Sequence, residues 1–208
     1  GAGFLAEPQK LDQFLDQIFS KLNMKISIKT RIGTHYEEDW EYLLAIYEKY
    51  PIHELIIHPR IQTDMYRGVP RLGAYEKAVN RLKMPLCYNG NLFSAADYKR
   101  ITERFPDTCC FMYGRGLITN PGLVTEIREG IRPNKKTVRE FHDCLFEEYR
   151  ELLSGERNVL FRMKELWSYM AVNFTNYEKY AKKIKKSQHL SEYSSVVSSL
   201  FAEQDLID

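Results

Sequence analysis

The stretch "MPLCYNGNLFSAADYKRITERFPDTCCFMYGRGLITNPGL", Met84–Leu123, sets two short apolar runs in front of two glycine turns, Asn89-Gly90-Asn91 and Gly114-Arg115-Gly116. Between them Ser94 and Asp97 read as a helix cap, and Tyr98, Ile101 and Phe105 recur at helical spacing. Glycines let backbone amides approach an anion closely, and a planar guanidinium at the second turn suits a phosphate. The two turns together read as a phosphate clamp shared by successive strands of a parallel sheet or barrel.

Toward the N-terminus the same strand-helix unit repeats. Leu11, Phe14, Leu15, Ile18, Phe19 and Leu22 form an apolar stripe over residues 8–22. A strand over Lys25–Ile32 ends at Gly33, and Thr34 with Glu37 fits a capping box for a helix buried through Trp40, Leu43, Leu44 and Tyr47. "ELIIH", Glu54–His58, is the second strand, followed by an Arg- and Gly-rich loop and a helix over Ala74–Leu82. Pro85–Tyr88 and Cys109–Tyr113 complete four strands, with Pro121 placed for a helix start and Gly130 for its stop. Strands alternating with helices predict an α/β fold with a parallel sheet.

Beyond Lys135 the strand signals cease. Phe141, Leu145, Tyr149 and Leu152 form one helical stripe, capped by Thr137 and Glu140. Val159 to Met170 form another, and shorter patterns follow at Tyr177–Ile184 and Val196–Phe201, as in a small helical bundle.

Composition narrows the function. The 208 residues are 44% apolar with a formal net charge of +2, so any nucleic-acid contact must come from a local patch and not from global charge. Cys87, Cys109, Cys110 and Cys144 lack metal-ligand spacing and sit within apolar patterns, which predicts buried free thiols and no metal site. No apolar run approaches a membrane span. At the strand ends stand Lys29, Arg31 and Gly33, then His58 and Arg60, then Asn89 and Gly90, then Gly114 and Arg115. Such a rim prefers an anion. Lys29 shares the parity of Lys25 and Ser27, opposite to Ile26 and Ile28, which turns it away from the helix-covered face.

Taken together, "IKTRIG", "LIIHPRIQTDMYRG", "YNGN" and "MYGRGLITNPGL" resemble the tRNA-dihydrouridine synthase family in order and spacing, with a weaker likeness at "RMKELWSYM". The resemblance implies the C-terminal half of a TIM-type (β/α)8 barrel, four βα units over residues 1–130. An all-helical, tRNA-binding domain over residues 131–208 would follow. It implies an FMN-dependent oxidoreductase of the cytoplasm that reduces uridine in tRNA to 5,6-dihydrouridine, with NADPH as reductant. Lys29 and His58 would contact the flavin, while Asn89, Gly90, Asn91, Gly114 and Arg115 would hold its phosphate. Arg60, Tyr66 and Arg67 would lie nearer the RNA, joined by Arg162 and Lys164 and by Lys182 and Lys183 of a lysine-rich segment.

The family places a catalytic cysteine in an Asn-x-Gly-Cys-Pro stretch shortly before the segment that here reads "GAGFL". This sequence starts at that segment, so the expectation is a fragment without the proton-donor Cys, inactive alone and self-associating through its open half-barrel. The alternative is a naturally short, noncatalytic RNA-binding or assembly protein. A small-molecule FMN barrel enzyme would share the clamp but explain neither His-Pro-Arg nor the C-terminal helices.

Overall fold

The computed structural model describes residues 2–207 and divides into two units. One takes in the chain through Leu92 together with Asp97–Tyr113; the other takes in Phe93–Ala96 and the chain from Gly114 onward.

In the first unit a short 3-10 turn leads into α1 (Pro8–Lys21), followed by β1 (Ser27–Gly33), α2 (Asp39–Tyr47), β2 (Glu54–Ile61), α3 (Leu72–Arg81), β3 (Leu86–Asn89), α4 (Ala95–Arg104) and β4 (Cys110–Met112). The four strands are all parallel and ordered β1-β2-β3-β4, so every strand lies beside its sequence neighbour. A parallel connection needs a crossover, and α2, α3 and α4 supply it. This α/β architecture is consistent with part of a TIM-type barrel.

The core forms where the helices cover one sheet face. Leu11 and Leu15 of α1, Trp40, Leu43 and Leu44 of α2 and Ala74, Tyr75 and Ala78 of α3 pack with Ile32, Leu55, Ile57 and Tyr88 of the strands. Three hydrogen bonds satisfy polar groups inside this core, as low dielectric demands. Trp40 Nε1 donates to the Ala74 carbonyl at 2.8 Å, Thr30 and Tyr47 share a hydrogen bond of 2.8 Å, and Tyr75 and Thr108 share one of 3.0 Å. Burial pushes the Tyr47 and Tyr75 phenols up to about 12, so both keep their hydrogens.

The second unit contains α5 (Arg115–Thr119), α6 (Leu123–Glu129), α7 (Lys135–Leu152), α8 (Glu156–Met170), α9 (Tyr177–Lys186) and α10 (Leu190–Glu203), and Phe174 bridges antiparallel to Leu206. Its core gathers Val138, Leu160, Met163, Trp167, Met170, Phe174, Tyr193, Val197 and Leu200.

Several local expectations are corrected. Thr34 and Glu37 form no capping box: residues 34–38 make a turn, α2 starts at Asp39, and Thr34 is buried with its carbonyl accepting from the Thr63 amide. The cap of α7 is Asn134, whose side chain accepts from the Thr137 N–H at 2.9 Å, so Thr137 lies inside the helix. α5 carried no sequence signal, being five residues long. Gly130 does end α6, in the left-handed conformation (φ 71°) that glycine adopts without strain. Of the four free thiols Cys87 is buried and Cys110 half-buried, whereas Cys109 and Cys144 are exposed.

Candidate functional site at the strand ends

Register decides which side chains share a face. Lys29 pairs with Ile56, Ile56 with Cys87, and Cys87 with Cys110; Arg31 pairs with His58, and Asn89 with Met112. Partners in a parallel ladder point the same way and neighbours along a strand alternate. Lys29, Arg31, His58 and Asn89 therefore stand on one face, opposite to Ile28, Thr30, Leu55, Ile57 and Tyr88, which face the helices. Burial along β1 agrees, with Thr30 and Ile32 buried, Ser27 and Lys29 exposed and Arg31 half-buried.

Lys29 thus shares its face with Arg31 and His58 and with the thiols of Cys87 and Cys110. Desolvation by its neighbours, and then the Arg31 guanidinium, hold its ammonium below the usual lysine range. On the same face, burial pushes the Cys87 thiol up to about 12, and the Glu54 carboxylate, with burial, pushes Cys110 up to about 11. Both stay protonated and unreactive at neutral pH.

His58 is buried, its ring 6.3 Å from that of Tyr66. At the β3 end, Asn89 Nδ2 donates to the Met112 carbonyl at 2.8 Å, tying β3 to β4. Gly90 is needed for a reason the sequence hides: a Cβ there would sit 2.3 Å from the hydroxyl of Tyr88, a buried ring packed edge-on against Tyr75. Asn91 accepts from Arg60 at 3.3 Å. In the second unit, Gly114 caps α5, and Arg115 lies half-buried with its guanidinium 5.4 Å over the Phe93 ring.

The loop after β2 is built by three arginines. Arg60 is fully buried and donates to the carbonyls of Arg67 and, at 2.6 Å, of Gly68. Arg31 donates to the carbonyls of Ile61 at 2.8 Å and Met65 at 3.3 Å, with its guanidinium 5.8 Å over the Tyr66 ring. Arg71 pairs with Asp64 and, at 3.0 Å, with Glu37, joining this loop to the turn after β1. Arg60, expected to face RNA, instead holds the loop from below. Met65, Tyr66, Arg67 and Val69 are left exposed, and Met65 adopts a positive φ of 53°. The roles of Arg31 and Asp64 were missed. The alternation that places Arg31 beside Lys29 was the available signal for one, and nothing local marks the other.

The remaining basic residues differ in availability. Arg162 is exposed and pairs with Glu165 at 3.2 Å, whereas Lys164 is half-buried and donates to the Ser187 carbonyl. On α9, Tyr180 and Ile184 are buried while Lys179, Lys182, Lys183, Lys185 and Lys186 are exposed, with no carboxylate within salt-bridge distance among the described residues. Among those residues no group of His, Cys, Asp and Glu fits a metal ion, and no helix is long and apolar enough to cross a membrane.

A four-stranded parallel sheet that carries Lys29, Arg31, His58 and Asn89 on one face makes an α/β protein consistent with part of a TIM-type barrel. A profile of the Dihydrouridine synthase (Dus) family matches residues 1–204, and this chain belongs to that family. No match to this chain was found among curated proteins.

Proposed function

We propose that this chain provides flavin-site and tRNA-contacting parts of a tRNA-dihydrouridine synthase, an oxidoreductase reducing uridine in tRNA to 5,6-dihydrouridine in the cytoplasm. The observation that carries the reading is the register that sets Lys29, His58 and Asn89 on one face of one sheet. A desolvated cation, an imidazole and a carboxamide on that face fit the polar edge of a flavin.

FMN, when bound, supplies the reducing equivalents, renewed from NADPH. Lys29 holds a fixed positive charge where negative charge builds up, which stabilises it without reorganisation. His58, braced by Tyr66, orients the ring. The motif assigns Asn89, Gly90, Asn91, Gly114 and Arg115 to the phosphate, for which the Arg115 guanidinium offers a planar fork. Tyr66 and Arg67 present an exposed ring and cation to a nucleotide taken out of its stack. In the residues 131–208, which we assign to tRNA, Lys182 and Lys183 lead the phosphate contacts, joined by Arg162 and Lys164 of α8. None of Cys87, Cys109, Cys110 and Cys144 lies in an Asn-x-Gly-Cys-Pro stretch, so we assign proton donation to the base to no residue of this chain. The outer edges of β1 and β4, unpaired by any described strand, are where we place self-association.

The test is a fluorescence titration of FMN with the chain, Arg115→Ala and Lys29→Met. Saturable quenching that weakens in Arg115→Ala and persists with altered flavin potential in Lys29→Met is expected. Quenching unchanged by both substitutions would refute the residue assignment, and tRNA binding without any flavin binding would favour the noncatalytic RNA-binding reading.

A further inference from the structure

The second unit contains a buried polar chain that the proposed chemistry does not use. His142 of α7 is 2% exposed. Its Nδ1 lies 2.7 Å from Asp143 Oδ1 and its Nε2 lies 2.6 Å from the Tyr193 hydroxyl of α10, which in turn receives the Trp167 Nε1 of α8 at 2.7 Å. Arg139 Nε donates to the other Asp143 oxygen at 2.8 Å. Three helices meet in this one chain of hydrogen bonds.

Its direction follows from the chemistry of the groups. An indole N–H only donates, so the Tyr193 oxygen accepts from Trp167 and its own hydrogen goes to His142 Nε2. Nε2 is then an acceptor, and Nδ1 carries the hydrogen that Asp143 accepts. The imidazole is neutral and its tautomer fixed. Adding a proton at Nε2 sets two hydrogens against each other: the Tyr193 hydroxyl must turn away, and in a fully buried site its hydrogen loses its acceptor.

We propose that the Asp143–His142–Tyr193–Trp167 chain is an acid-operated latch: protonation of His142 releases α10 from α7 and α8 and loosens the second unit. The surroundings favour a sharp response. Phe146 stacks on the imidazole with centroids 6.1 Å apart, and Phe201 of α10 lies at 6.3 Å, itself under the Arg139 guanidinium at 5.0 Å. The charged groups at the site are Asp143 and Arg139, both on α7; α8 contributes Trp167, and α10 contributes Tyr193, whose phenol burial pushes well above its usual range. Burial outweighs the pull of Asp143, with a smaller push from Arg139, and holds the imidazolium below the ordinary histidine value. Folded His142 therefore takes its proton at lower pH than unfolded His142. Stability is complete above about pH 6.5 and is lost as pH falls toward the folded value.

Two measurements on the full chain test the latch. Nitrogen-15 spectra of the histidine ring should show the Nδ1–H tautomer near neutral pH; an Nε2–H tautomer would overturn the proposal. Hydrogen exchange, expressed as protection factors, should show α10 losing about tenfold or more between about pH 7.5 and pH 5 while β1 and β2 keep theirs. His142→Phe, which fills the aromatic site without a proton acceptor, should abolish that step. A step that persists in His142→Phe, no step in the parent chain, or one shared equally by the sheet would each overturn it. Should His142→Phe not fold, Tyr193→Phe replaces it: freed of the hydroxyl donor, His142 should titrate higher, and an unchanged midpoint would count against the latch.

Discussion

Replacing Arg60 by methionine tests whether the loop after β2 owes its shape to a buried guanidinium. Methionine retains most of the buried stem, so the change isolates the polar head. That head makes hydrogen bonds to the Arg67 carbonyl, to the Gly68 carbonyl at 2.6 Å and to Asn91 Oδ1 at 3.3 Å. Bonds from a charged donor contribute about 1.5–3 kcal/mol each. Arg67 and Gly68 are themselves exposed, so their carbonyls regain water when released, and relief of the guanidinium's desolvation offsets more. A net loss of about 2–3 kcal/mol remains, which raises the population of the opened loop roughly 30- to 140-fold. Trypsin reads that population directly at the Arg67–Gly68 bond, because cleavage tracks the open fraction when reclosing is fast. Urea unfolding of the same variant should lose stability by the same amount. Equal cleavage rates and equal urea midpoints for parent and Arg60→Met would refute the reasoning, since the carbonyl bonds would then not be what holds the loop.

Two further substitutions probe the same rim. Gly90→Ala drives a methyl into the Tyr88 hydroxyl, and since Tyr88 is 1% exposed and cannot swing aside, a loss of about 1–3 kcal/mol is expected by thermal or urea unfolding; unchanged stability would mean that the turn relaxes freely. Asp64→Asn should cost about 1 kcal/mol near neutral pH, because Arg71 holds the Asp64 carboxyl below the usual carboxylate range. That contribution is complete above about pH 3.9 and lost as pH falls through the folded value, so parent and variant stabilities should converge in acid. A gap independent of pH would count against the ion pair.

The sheet was legible because each strand announces itself by two features: an apolar run such as "ELIIH" and a glycine or basic residue at its exit. Parity alone put Lys29 on the face away from the helices, and register put His58 and Asn89 there with it. Caps were less legible. Thr34-x-x-Glu37 matches a capping box, yet burial of Thr34 against the neighbouring loop pulls that segment into a turn and delays α2 to Asp39. Arg60 shows a deeper limit. A sequence marks a cation at a strand end, but whether it faces solvent depends on carbonyls seven and eight residues away in the chain. Gly90 shows the converse, its small size being required by a tyrosine two residues before it.

The arginine-held loop separates two properties that usually change together. Arg31 and Arg60 grip main-chain carbonyls, at Ile61, Met65, Arg67 and Gly68, and every residue type supplies a carbonyl. Met65 is 64% exposed and Val69 80%, so neither side chain is needed for the loop's path. Mutation at Tyr66, Arg67 and Val69 can therefore rewrite what this ledge presents while its contour stays fixed, whereas Met65 and Gly68, both at positive φ, shape the turn itself.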